Sequence, residues 1–307
     1  MTGIYNLLAK KNQEQAMDTQ EITEKLKEVK YISSQTISCA VGGTVNNRIP
    51  LLIEGDPGTG KTFLAKSVAS MMDAELIRVQ IYEGMTYDKI LYDYDYQRQL
   101  LTIEAMRSVF EEQMRGKSLS DALEMTKSIN FYGKDFLIKR PILKALTCKK
   151  NCVLLIDEID KASEELEYTL LEVLDEFSMT IPQLGTVKNT GETPMVFLTS
   201  NSYRELSDAL KRRCNYLYLE RKTAKEMEEI LLLQAEVDES IAEYVAKTMD
   251  SMNRLSLRQP PSVSEAVTWA KYLSDKANKN VKPEDTLYMI AKNKPDMEMI
   301  KNSGVLS

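Results

Sequence analysis

Residues 55–62 read GDPGTGKT and fit the pattern G-x-x-x-x-G-K-[ST]. That pattern wraps backbone N–H groups around a phosphate, aims a helix N-terminus at it, and sets a lysine and a hydroxyl beside it. Lys61 is placed to reach β and γ oxygens and Thr62 to hold Mg²⁺, while Gly55, Asp56, Pro57, Gly58, Thr59, Gly60 and Phe63 complete the nucleotide-binding stretch. A glycine-rich turn without a ligand is the competing reading. It loses ground because an apolar run, PLLIE, precedes the motif and a helical pattern follows it.

A second group of residues stands at the ends of two other apolar runs. CVLLIDEID ends in Asp157 and Glu158, where one carboxylate can serve Mg²⁺ and the next can orient or deprotonate an attacking water. MVFLTSN ends in Asn201, whose amide can hold that water or a γ-phosphate at the same sheet edge. Arg212 and Arg213 then follow a short helical stretch in DALKRRC. An arginine can clamp a phosphoryl group in transfer, its own or a neighbouring subunit's, whereas two surface cations favouring a helix C-terminus are the plainer alternative.

These residues need a scaffold that brings strand ends together. Five apolar runs, at 50–54, 75–81, 152–156, 195–199 and 216–219, alternate with helical patterns. Three are nearly unbroken, as parallel strands covered on both faces require, so an α/β layered sheet is expected. The connection 82–151 must hold extra helices, and 178–194 reads as an exposed hairpin or loop. After Glu220 only helical patterns remain; Ser262 with Glu265 forms a capping box, and Pro283 suits a first helical turn. The expected division is a polar and helical extension at 1–27, where an amphipathic pattern at Ile22, Leu26 and Val29 suggests a helix leading into the main domain, a nucleotide-binding domain at 28–221 and a helical lid at 222–307.

Composition narrows the chemistry. The chain of 307 residues has no histidine, which removes histidine metal sites and histidine-based triads. Its net charge of −6 disfavours a nucleic-acid polyanion in bulk, although a local basic patch is compatible with it. Four scattered cysteines suggest reduced, buried thiols. With neither a signal-like apolar stretch nor eighteen apolar residues in a row, a cytoplasmic protein without a membrane span is expected.

From about Tyr31 to Leu273 the chain resembles the AAA+ ATPases, and within them the MoxR group. GDPGTGKT is similar to Walker A, LLIDEID to Walker B, LTSN to sensor 1 and ELSDALKRRC to the arginine-finger segment. The stretches at 81–101, 135–146 and 261–273 are similar to the MoxR branch that contains the CoxD-like proteins. The resemblance implies a P-loop AAA+ fold with a five-stranded parallel sheet flanked by helices and an all-helical C-terminal lid. It implies ATP and Mg²⁺ bound by Lys61, Thr62 and Asp157, Glu158 activating water, and Asn201 as sensor 1. Arg213 would reach into a neighbour's site, with Arg212 as its substitute, in a ring that is usually hexameric. A chaperone that remodels a client protein, paired with a von Willebrand A domain protein, is the implied function. One departure stands out: the place of a sensor 2 arginine holds Ser264, with Arg258 a few residues upstream.

Two other functions compete. A nucleic-acid-directed ATPase of the clamp-loader or helicase kind would share the ATP site but need a basic channel. A GTPase is suggested by NKPD at 293–296, yet PEDTLYMIAKN before it reads as a helix, which makes NKPD a C-terminal stop. Tyr82, Met85 and Tyr87 follow the second strand, where a client could be gripped, while Tyr92, Tyr94 and Tyr96 are read as packing a half-buried surface and Trp269 as lid core.

Overall fold

Described in a computed structural model, the protein is visible over residues 16–113, 130–182, 184–189, 191–278 and 281–306. In chain order the first half comprises α1 (Thr19–Glu28), α2 (Gln35–Asn47), β1 (Leu51–Gly55), α3 (Lys61–Met71), β2 (Glu75–Gln80), α4 (Tyr87–Ile90), β3 (Tyr92–Tyr94) and α5 (Tyr96–Gln113). There follow β4 (Leu137–Lys139), α6 (Pro141–Leu146), β5 (Cys152–Asp157), α7 (Glu164–Glu176), β6 (Ser178–Ile181), β7 (Gly185–Lys188), β8 (Met195–Ser200), α8 (Asp208–Lys211) and β9 (Asn215–Leu219). The chain then runs through α9 (Ala224–Ile230), α10 (Glu239–Asn253), α11 (Val263–Ser274) and α12 (Lys294–Ser303), with a 3₁₀ stretch at Pro283–Met289.

The five apolar runs pair into one sheet in the order β2-β5-β8-β1-β9, and every pairing is parallel. Side chains alternate across a strand, so each central strand feeds two cores. Leu52, Leu154, Ile156 and Leu198 meet Ile142 of α6 and Leu166 and Leu170 of α7 on one face. On the other, Leu51, Ile53, Leu155 and Phe197 meet Ile22 and Leu26 of α1, Val41 of α2 and Leu64 of α3. The unbroken hydrophobicity of β5 and β8 is thus the signature of two covered faces. Ile22 and Leu26, read as the apolar face of a helix, join this layer together with Met17; the first fifteen residues lie outside the described ones.

Beyond β9 the helices close around a third core in which Trp269 is fully buried and its indole N–H donates to Thr286 Oγ1 at 2.7 Å. Ser262 and Glu265 form the expected capping box at the start of α11.

Several local expectations are corrected. PEDTLYM is 3₁₀ rather than α-helical, and NKPD starts a helix instead of stopping one. Asn293 is the N-cap of α12, its side chain accepting from the Asp296 N–H at 2.9 Å, with Pro295 in the first turn where no N–H is needed. The 82–151 connection contains helices but also the small antiparallel ladder β3–β4. The 178–194 segment is a hairpin, β6–β7, with Met179 and Ile181 buried rather than exposed. Tyr94 is buried and Tyr92 half-buried as expected, yet Tyr96 is 61% exposed. All four cysteines are free, but only Cys152 is fully buried and Cys39 is exposed.

Candidate functional site

The loop between β1 and α3 carries two glycines at positive φ, Gly58 at 83° and Gly60 at 99°, a region L-residues rarely occupy. This turn lets the backbone curl and places Lys61 and Thr62 in the first turn of α3. Beside the loop lies a cavity of about 600 Å³, within the roughly 300–1,000 Å³ of ordinary small-ligand sites. Pro57, Gly58, Gly60, Lys61, Thr62 and Phe63 line it from the loop side, Asp157, Glu158 and Asn201 from the strand ends. The parallel register brings those strand ends together, with β5 and β8 adjacent and β1 next to β8.

Lys61 is buried, and its ammonium donates to the carbonyls of Gly55 at 2.7 Å and Asp56 at 2.9 Å. Burial holds its pKa below the usual lysine value, against the opposing pull of Asp160, Asp56, Asp157 and Glu158. A cation buried on carbonyls alone, at a helix N-terminus with uncapped N–H groups, is a donor set that fits a nucleotide phosphate.

Asp157 is buried and saturated with donors. Thr62 Oγ1 donates to its Oδ1 at 2.9 Å and Thr199 Oγ1 at 2.5 Å, while Arg78 donates to Oδ2 through Nη2 at 2.6 Å and Nε at 3.0 Å. Thr62 Oγ1 and Asp157 Oδ1 stand in direct contact, so the pair could hold Mg²⁺, directly or through a water, once some of these donors give way. Glu158 follows in the left-handed region at φ 60°, which turns the chain sharply off the strand. Its backbone N–H donates to Thr199 Oγ1 at 3.0 Å, and its carboxylate pairs with Lys161 at 2.6 Å. That carboxylate holds the Lys161 pKa above the usual value. Asn201 is fixed through its backbone, whose N–H donates to Asp160 Oδ2 at 2.9 Å, and the Tyr203 N–H shares the same acceptor.

The two arginines lie apart from this cluster. Arg213 pairs with Asp175 of α7 at 3.0 Å and donates to the Ala209 carbonyl, whereas Arg212 is exposed with no side-chain partner among the described residues. Ser264 does line the cavity, but Arg258 does not; its backbone N–H is held by Asp296.

Several contributors escaped the sequence reading. Thr199 ties Asp157 to Glu158, Arg78 crosses from β2 to Asp157, and buried Asp160 pins the loop after β8. Gln234, Val267 and Thr268 bring the lid to the cavity wall. Arg78 and Gln234 carry no motif signal; Thr199 inside LTSN, Asp160 as the last acid of LLIDEID, and Val267 and Thr268 within the stretch 261–273 stood in segments already singled out, without being read individually.

Comparison with known proteins agrees with this geometry. The AAA domain family, dynein-related subfamily, matches residues 50–214. The chain is 23% identical over 256 residues to the chaperone protein ClpB of Mycoplasma pneumoniae, covering 78% of this chain and 30% of that protein. It is 26% identical over 238 residues to the Lon protease of Fusobacterium nucleatum, covering 74% and 26%, and 28% identical over 198 residues to a mitochondrial Lon protease homolog of Dictyostelium discoideum, covering 62% and 17%. The chain thus spans under a third of the length of these curated relatives. Among solved structures, the Thermotoga maritima RuvB Holliday junction branch migration motor is similar with a TM-score of 0.44 at 18% identity, covering 90% of this chain and 68% of that one. No helix among the described residues is long and apolar enough to cross a membrane. With the phosphate loop and the acidic strand end side by side at one sheet edge, and the family match spanning both, the chain belongs to the AAA domain family, dynein-related subfamily, and carries an ATPase domain of the P-loop AAA+ fold.

Proposed function

We propose that this ATPase is of the MoxR type, in its CoxD-like branch, and hydrolyses ATP in an oligomeric ring to remodel, assemble or mature a client protein complex with a von Willebrand A domain partner. The observation that carries the ATPase half is the convergence of Lys61, Thr62, Asp157, Glu158 and Asn201 on one cavity. The MoxR half rests on the segments at 81–101, 135–146 and 261–273 and on a relative named as a chaperone. In this reading residues 28–221 form the nucleotide-binding domain and 222–307 the lid.

The loop N–H groups and Lys61 bind the phosphates and offset their charge. Thr62 and Asp157 would hold Mg²⁺, which would supply further neutralisation of the phosphate charge. Glu158 accepts a proton from the attacking water as its oxygen forms the bond to the γ-phosphorus and the bond to the ADP oxygen breaks. Asn201 orients that water or the γ-phosphate, and Arg213 or Arg212 of a second copy stabilises the charge that develops.

The test is Glu158→Gln protein, loaded with ATP and Mg²⁺ and used as bait in native lysate. Replacing the water-activating carboxylate should hold the ATP-bound assembly together, and a von Willebrand A protein bound with its metalloenzyme or other complex subunit is the expected catch. Recovery of nucleic acid with its processing proteins, lost on nuclease treatment, overturns the client reading in favour of a nucleic-acid-directed motor.

A further inference from the structure

The lid touches the phosphate loop directly. Arg221 lies between β9 and α9, where the chain leaves the sheet for the lid. Its Nε donates to Asp56 Oδ2 at 2.6 Å and its Nη1 to Asn253 Oδ1 at 3.3 Å, joining the loop to the last residue of α10. At the start of α11 the Val263 N–H donates to the Gly58 carbonyl at 3.2 Å. A Cβ built on Gly58 would stand 2.5 Å from Ser262 Cβ, so loop and helix meet with no room for a side chain. The space left along the seam is only about 20 Å³.

These contacts fall on the part of the loop that must reshape around a phosphate. Lys61 is held on the Gly55 and Asp56 carbonyls and shifts or shares those bonds when it meets one, and Asp56 is the residue Arg221 grips. Movement there passes to α10 and α11 through packed, hydrogen-bonded elements. Arg221 also offsets the Asp56 carboxylate, which would otherwise repel bound phosphates. The lid helix itself offers Ser264, with no arginine in its first turn.

We propose that Arg221 is a positioning residue for ATP hydrolysis: acting through Asp56 and Asn253, it couples the phosphate loop to the lid, a role otherwise open to an arginine on the lid helix. The inference rests on the ATPase assignment and is independent of client and ring.

The full chain tests it with ADP as the probe. Affinity is measured by calorimetry, and lid response by amide hydrogen exchange across residues 263–266 with and without ADP, in wild type, Arg221→Gln, Arg221→Lys, Asp56→Asn and the double variant Asp56→Asn with Arg221→Gln. ADP should slow exchange at α11 in the wild type. Arg221→Gln should lose that response and bind ADP about 5-fold or more weakly, and Arg221→Lys should keep part of both. The double variant should lose no more lid response than Arg221→Gln alone, because the two residues act as one unit. Should Arg221→Gln fail to fold, Asp56→Asn asks the same question from the other side of the contact. Wild-type affinity and full ADP-dependent protection in the folded variants overturn the coupling while leaving the ATPase intact. A wild type that binds no ADP overturns the nucleotide site and the coupling together.

Discussion

Lys61 has three donors, and carbonyls of its own loop take two of them, which keeps the charge paired yet leaves it free to change partners. Lys61→Ala should lower ATP turnover by about 10²–10³-fold, measured as phosphate release, with weaker nucleotide binding. Turnover at the wild-type rate would remove the phosphate-loop assignment. Residues with this kind of chemistry were legible because a loop that must curl around a phosphate and offset its charge needs those residue types at fixed spacing. Arg78 was not: it is an ordinary strand residue that reaches Asp157 only through the register of β2 against β5, and Thr199, although inside LTSN, meets Asp157 only through the register of β8 against β5. Arg213 was legible as a cation, but its pairing with Asp175 depends on how α7 and α8 pack.

Among the elements, the lid depends on a buried carboxylate. Asp296 accepts from the backbone N–H groups of Arg258 at 2.9 Å and Gln259 at 3.0 Å and from the Asn293 amide at 2.7 Å. Burial would raise its pKa, but those donors outweigh it and hold the carboxyl below the usual value. Asp296→Ala should destabilise the lid by about 1–3 kcal/mol at pH 7, because it leaves buried N–H groups without an acceptor. A carboxyl with a depressed folded pKa contributes stability above its unfolded pKa and loses it as pH falls through the folded one. The penalty should therefore be full at neutral pH and shrink only below about pH 4, the ordinary carboxylate range. Urea titrations of both proteins across that range would show it, and a penalty that vanishes by pH 6 would contradict it. The central strands were legible because burial on both faces leaves an unbroken apolar run. The three-residue strands β3 and β4 are too short to print a period, and NKPD was misread because Asn and Pro suit the start of one helix as well as the end of another.

For the whole molecule, the arginine pair poses the question of assembly. Arg213 must leave Asp175 to serve another chain, while Arg212 is already exposed. If either acts in a second subunit, its alanine variant should bind ATP yet hydrolyse it about 10³-fold more slowly. Mixing that variant with Lys61→Ala should restore turnover that neither has alone, since an intact loop then meets an intact arginine. Absence of recovery in co-assembled mixtures would exclude action between subunits for that arginine. No pattern within one chain displays a second copy, so this level was reached from the sequence only through family resemblance.

Trp269, the chain's single tryptophan, lies in the core of the lid, apart from the two layers that flank the sheet. Its indole hydrogen bond to Thr286 ties its surroundings to the 3₁₀ stretch that closes the lid. Intrinsic emission excited at the indole band therefore watches one region of the molecule: the protein carries its own optical reporter of lid packing, and loosening of the lid can be timed against events at the sheet without attaching a dye.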